Sequence, residues 1–113
     1  MNKGPKIFIE HILESISLIE SFSKGLKKSD FLKNKLKQNA IIRQIEIMGE
    51  AVKNIPEPFK VKYPSVEWKK IAGVRDKLIH HYFGVDIDTV WDILEHDLPN
   101  LKKDIEKILK DLE

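Results

Sequence analysis

Between positions 75 and 84 the chain reads RDKLIHHYFG, which gathers an arginine, an aspartate, two histidines and a tyrosine into eight residues of a lysine-rich sequence. Of its 20 basic residues, only Arg43 and Arg75 are arginine. In a chain so biased, each arginine marks a place where a planar, permanently charged fork is needed. Arg43 has Glu46 and Glu50 along nearly the same helical face and reads as an arginine retained by chance or as half of a structural ion pair. Arg75 has a different neighbourhood. On a helix, Asp76 and His80 are four residues apart and meet, so a carboxylate–imidazole hydrogen bond can set the tautomer of the histidine and raise its pKa. Arg75 and Tyr82 lie about 20° apart around the axis, whereas Arg75 and His80 are separated by about 140°. One helix alone brings that arginine and histidine together poorly: either the helix loosens near Gly84 and the arginine curls around it, or, as the preferred reading, the two groups meet across an interface between two copies of the helix.

Arginine, histidine and a carboxylate without cysteine or an evident metal cluster suit cleavage of RNA through its own 2′-hydroxyl. That reaction needs proton transfer near neutral pKa and a cation to offset charge gathering on the phosphate. DNA lacks the internal nucleophile, and its hydrolysis generally leans on metal-activated water. The spacing by itself leaves other readings open. A histidine near a helix C-terminus is also a favourable partner for the helix dipole, and Tyr82 and Phe83 are equally core aromatics at a helix end. His81 points about 100° away from His80, and His11 and His96 stand alone in the sequence.

The elements that would position this stretch are helical. Ile7, Ile9, Ile12, Leu13, Ile16, Ile19 and Phe22 recur near a period of 3.6, which predicts a helix over 6–23 ended by Gly25. Ser29–Asp30 would cap a short helical turn carrying Phe31, Leu32 and Leu36. A second long stripe, Ala40, Ile41, Ile42, Ile45, Met48, Val52 and Ile55, predicts a helix over about 37–54. Pro56, Pro58 and Pro64 make the next stretch a connector with room for one helical turn. Ser65, with Glu67 and Trp68, reads as the cap of a helix carrying Ile71, Val74, Leu78 and Tyr82 as far as Gly84. Asp86 or Asp88 would cap the last segment, whose stripe runs from Val90 to Leu112. Pro99 either bends that segment or sits in the first turn of a helix capped by Asp97. The pattern predicts an all-α fold, an antiparallel four-helix bundle with an extra short helix.

Composition bounds the rest. With 113 residues, 42% hydrophobic and 34% charged, the chain is expected to fold as one domain over 1–113, since two cores would each bury too little. No apolar run approaches the roughly 20 residues needed to cross a bilayer, and the charged N-terminus does not read as a signal peptide, so a cytoplasmic location is expected. The absence of cysteine removes disulfides, thiolate zinc sites and one common nucleophile. A net charge of +2 does not by itself imply a nucleic-acid partner.

The residues also carry a resemblance. Arg75, His80 and Tyr82 form Arg-x4-His-x-Tyr, and together with IIRQIEIMGEAVKNIP (41–56), YPSVEWKKIAGVRDKLIHHYFGVD (63–86) and VWDILEHDLPNLKKDIEKIL (90–109) the chain closely resembles the HepT-like branch of the HEPN superfamily. These are small helical ribonuclease toxins of prokaryotic toxin–antitoxin modules. The resemblance implies a homodimer in which two copies of the motif meet in a cleft. It implies metal-independent RNA cleavage by Arg75 and His80, supported by Asp76, with no cofactor. It also implies that Tyr82 accepts adenylate groups from a partner antitoxin, a minimal nucleotidyltransferase, which silences the toxin. The alternative reading is a non-catalytic helical module that binds a nucleotide or docks such a partner.

Overall fold

The structure, a computed structural model, describes residues 4–80 and 86–113, and of residues 75–80 the backbone alone. Every regular element among them is helical. They are α1 (Lys6–Ser23), α2 (Lys28–Phe31), α3 (Lys35–Lys53), α4 (Glu57–Val61), α5 (Trp68–His80), α6 (Ile87–Asp92), a π-helical turn (Ile93–Asp97) and α7 (Leu98–Asp111).

The apolar stripes of the sequence become one continuous buried cluster. From α1 it takes Ile9, Ile12, Ile16 and Ile19, none more than 1% exposed, and from α3 Ile41, Ile45, Met48 and Val52. Ile105 and Ile108 of α7, Val90 and Trp91 of α6, Phe31 of α2 and Trp68 of α5 also belong to it. Burying each such aliphatic side chain contributes about 1.5–3 kcal/mol, enough to outweigh the modest helix propensity of β-branched isoleucine. Helix α3 packs on α1 on one side and on α5 on the other, while α7 packs on α1.

The ends of these helices follow local chemistry. Gly25, at φ +72°, takes the left-handed turn just past α1, a conformation that costs any residue with a Cβ about 1 kcal/mol or more. The Asn34 side chain accepts from the Lys37 backbone N–H at 3.0 Å and caps α3. Asn34→Ala should cost about 1 kcal/mol in a thermal or urea melt, and an unchanged midpoint would show that α3 begins without that cap. Of the two candidate caps for α6, Asp86 is the one used, its Oδ1 accepting from Thr89 N at 3.2 Å.

The helical turn for which the proline-rich connector left room is α4, where Glu57–Val61 closes a full turn with Pro58 in its first turn and the missing N–H costs nothing. Several boundaries differ from expectation, each for a physical reason. Helix α3 begins at Lys35, so Leu36 belongs to it and is 80% exposed, while Phe31 alone of the predicted trio is buried. Helix α5 begins at Trp68, with Glu67 supplying its first carbonyl to Ile71 N at 3.1 Å, and no hydrogen bond from Ser65 caps it among the described residues. Its predicted end at Gly84 lies outside the described residues.

Of the two readings for Pro99, the second holds: it sits in the first turn of α7, directly after Asp97 and Leu98. It lacks the N–H that would reach the carbonyl four residues back, and its ring would crowd that carbonyl. The π-helical turn over Ile93–Asp97 widens the helix just before it, so α6 and α7 join through helical backbone. Asp97 precedes α7 but its side chain does not cap it.

Candidate functional site

Helix α5 positions the motif. The Trp68 indole is 7% exposed and donates from Nε1 to the carbonyls of Lys60 (3.2 Å) and Tyr63 (3.1 Å), which fastens the start of α5 to α4 and the turn that follows it. Further along, Ile71 and Val74 lean on the core. The backbone then continues as unbroken α-helix through positions 75, 76 and 80. The four-residue step from Asp76 to His80 is therefore a true helical one, and those positions share a face, while positions 75 and 80 lie about 140° apart around the axis. The side chains of Arg75, Asp76 and His80, and Tyr82 altogether, lie outside the described residues.

Two concave features flank this scaffold, and neither was read from the sequence. The first, of about 300 Å³, lies between α3, α5 and α7. Its apolar lining includes Ile45, Met48, Ile71 and Val74, the last immediately before Arg75, and its rim carries Lys70 and Asp97. Lys70 Nζ stands 3.5 Å from Asp97 and 3.5 Å from Glu67. The Asp97 carboxylate, and secondarily that of Glu67, holds the Lys70 ammonium above the ordinary lysine value of 10.5. That contribution is fully present below 10.5 and is lost only as pH rises through the raised value, so the rim keeps its charges across the neutral range. The contiguous Ile45–Met48 and Ile71–Val74 surfaces would have been recognisable as facing stripes, but only packing shows that they leave a groove.

The second groove, of about 330 Å³, lies between α1 and α3 and is lined by Phe8, His11, Arg43, Glu46 and Glu50 among others. It joins the other arginine of the chain to a histidine whose ring packs edge-on to Phe8 at 6.5 Å between centroids. Of the two readings the sequence leaves for Arg43, the ion pair is not the one found: among the described residues none joins it to Glu46 or Glu50. Both glutamates nevertheless line the groove, and their charge opposes a phosphate there. This arginine and histidine are therefore poor rivals to the pair on α5.

Among the described residues no group of three histidine, aspartate or glutamate side chains is arranged to hold a metal ion. No helix among them is long and apolar enough to cross a membrane.

Comparison with known proteins covers nearly the whole chain. The profile of the family described as "Ribonuclease HepT-like" matches residues 12–108. A Methanocaldococcus jannaschii protein named "Putative RNase" is 49% identical over 111 residues, which is 98% of this chain and 92% of the relative. The "Probable ribonuclease HepT" of Thermococcus cleftensis is 46% identical over 110 residues, 97% of this chain and all of the relative. A further Methanocaldococcus jannaschii protein, named "Gamma-glutamylcyclotransferase and putative RNase", is 48% identical over 113 residues, and the chain spans only 51% of its length. No solved structure matches the chain significantly.

Proposed function

This chain belongs to the HepT-like ribonuclease family, and from that premise we propose that it is a metal-independent endoribonuclease, the toxin of a prokaryotic toxin–antitoxin pair, working in the cytoplasm as a homodimer. The single observation that carries this reading is the family's Arg-x4-His motif, standing at Arg75 and His80 on a helix that runs unbroken from Trp68 to His80. The 140° between those two positions supports a dimer, since a second copy of α5 supplies the missing half of the site. Each subunit is then one domain, its long helices α1, α3, α5 and α6–α7 arranged as an antiparallel bundle with α2 and α4 as short additions.

In this reading the 2′-hydroxyl of the ribose attacks the adjacent phosphorus, the bond to the 5′-oxygen breaks, and the products are a 2′,3′-cyclic phosphate and a 5′-hydroxyl. His80 transfers the proton that the attack releases or the leaving oxygen requires. Arg75 offsets the charge that gathers on the phosphate as the transition state forms, and Asp76 holds the imidazole in one tautomer. Tyr82 is the acceptor for adenylate groups from a minimal nucleotidyltransferase antitoxin. AMP on that phenol places bulk and negative charge beside the site meant for RNA phosphate, so binding and catalysis both fall.

Incubation of the purified protein with total RNA in excess EDTA tests the chemistry. Fragments with 5′-hydroxyl ends are expected, and intact RNA after prolonged incubation, with or without added divalent cations, would reject the enzyme reading. Light scattering tests the assembly. It should report twice the 13.2 kDa chain mass, and a clean monomer at micromolar concentration would remove the composite site. Intact mass after co-expression with a neighbouring nucleotidyltransferase tests the regulation, with AMP increments mapping to Tyr82 as the expected result.

A further inference from the structure

The modest net charge of the chain conceals a strong asymmetry. The segment from Lys24 to Lys37, KGLKKSDFLKNKLK, holds six of the 20 basic residues and one of the 18 acidic ones, so it carries +5 and leaves the remainder of the chain at −3. The fold concentrates that charge. Lys37 Nζ donates to the Phe22 carbonyl at 2.6 Å and ties the start of α3 to the end of α1, so both ends of the segment meet at one corner of the molecule. Lys24, Lys27, Lys33 and Lys35 are exposed there and make no ion pair among the described residues. The nearby acids are engaged locally: Asp30 accepts from the Lys27 backbone N–H at 3.4 Å, and Asp88 pairs with Lys28 at 3.1 Å.

Local energetics would not place the lysines here. Lys27 and Lys28 stand at the start of α2, Lys35 and Lys37 fall in the first turn of α3, and that turn has no acidic residue. The positive end of the helix dipole disfavours cations at such positions, and clustered like charges repel. Lys28 and Lys37 have contacts that offset this, to Asp88 and to the Phe22 carbonyl. The Lys27 and Lys35 side chains have no ion pair among the described residues, and such a departure from a local rule is expected to answer to a function. Through α2 this corner reaches α6, where Lys28 pairs with Asp88. Phe31 of α2 packs against Trp91 of α6 at 5.4 Å between centroids, and α6 starts at Ile87, seven residues after His80. Seven residues of chain reach at most about 25 Å, which bounds the distance from His80 to the start of α6.

We propose that the α1–α3 corner, through Lys24, Lys27, Lys33 and Lys35, is an RNA-backbone docking surface that holds the strand on one side of the cleavage site. The proposal rests on the ribonuclease reading and adds to it where the uncleaved part of the substrate lies. Each lysine neutralises a phosphate and releases a counterion, so the surface contributes affinity without base preference. The exposed Leu32 and Leu36 beside these lysines would also suit an anionic membrane. The charge complementarity to a phosphate backbone and the α2–α6 packing of Phe31 on Trp91, with the start of α6 at most about 25 Å of chain from His80, favour the nucleic acid.

The test uses full-length His80→Ala protein, which binds without cutting, and a fluorescent single-stranded RNA titrated at several salt concentrations. Changing Lys24, Lys27, Lys33 and Lys35 together to Glu should weaken binding at least tenfold. The slope of log affinity against log salt should shrink by about 3, four phosphates at about 0.7 each. A matched change of Lys62, Lys103, Lys107 and Lys110 to Glu should alter affinity less than threefold. The same four corner lysines changed to Gln should shrink the slope equally, which decides the matter if circular dichroism shows the glutamate protein unfolded. Unchanged affinity in the corner variant, or an equal loss in the matched one, overturns the docking surface while leaving the enzyme reading intact. Binding of phosphatidylserine vesicles that RNA does not displace also overturns it. Absence of RNA binding by the His80→Ala protein, together with absence of cleavage by the parent, overturns the ribonuclease reading itself and this surface with it.

Discussion

His80→Ala protein is expected to fold like the parent and to cleave RNA at least a hundredfold more slowly. Proton transfer by a positioned side chain contributes about 10²–10⁴ in rate, and alanine offers no replacement group. Alanine is also the best helix former, so position 80 of α5 tolerates it without loss of helix. Melting temperature and circular dichroism should therefore match the parent while cleavage disappears. Arg75→Ala should lower the rate by a similar factor for a different reason, since the phosphate then meets no fixed cation in the transition state. Arg75→Lys should recover only part of it, because an ammonium keeps the charge but loses the two-pronged geometry. A His80→Ala protein that cuts as fast as the parent would make this histidine structural and the proposed site wrong.

The largest effect on stability is expected at Phe31. Its side chain is fully buried, packs on Trp91, and belongs to a helix of only four residues. Its carbonyl accepts from Gln38 Nε2 at 2.8 Å, so its placement also orients the start of α3. Phe31→Ala should cost about 3–5 kcal/mol from lost burial and the cavity left behind. Domains of this kind have a total stability of about 5–15 kcal/mol, so the melting temperature should fall by about 10–25 °C. Leu36→Ala provides the contrast. Leu36 is 80% exposed, and its loss should change stability by less than about 0.5 kcal/mol. Equal effects at the two positions in a thermal melt would mean that α2 does not close over the core as described.

The contrast between Phe31 and Leu36 also shows what the sequence made legible. In α1 and α3 the apolar residues repeat over four turns or more, so burial on one face is the only economical arrangement, and both helices appear within two residues of expectation. In the segment from 28 to 36 three apolar residues share no sustained period, and which of them is buried depends on Trp91, sixty residues away in the chain. Pro99 is similar. Its incompatibility with an ideal helix was evident, but spacing alone does not say that a π-helical turn over Ile93–Asp97 precedes it. The motif at Arg75, Asp76, His80 and Tyr82 stood out through residue type and spacing, and the family match spans residues 12–108. For Arg43 the sequence left two readings open, because a favourable helical spacing to two glutamates permits an ion pair but does not compel one at an exposed position.

The claim on which the function rests is that two subunits jointly form each site, and mixed dimers test it most directly. Arg75→Ala and His80→Ala proteins, each inactive alone, are unfolded together, refolded as a mixture and assayed on RNA. If the arginine of one subunit serves the histidine of the other, half of the dimers regain one complete site, and about a quarter of the parental rate returns. If each subunit carries its own arginine and histidine pair, every site in the mixture lacks one group. The mixture would then remain as inactive as its components, contradicting the composite site.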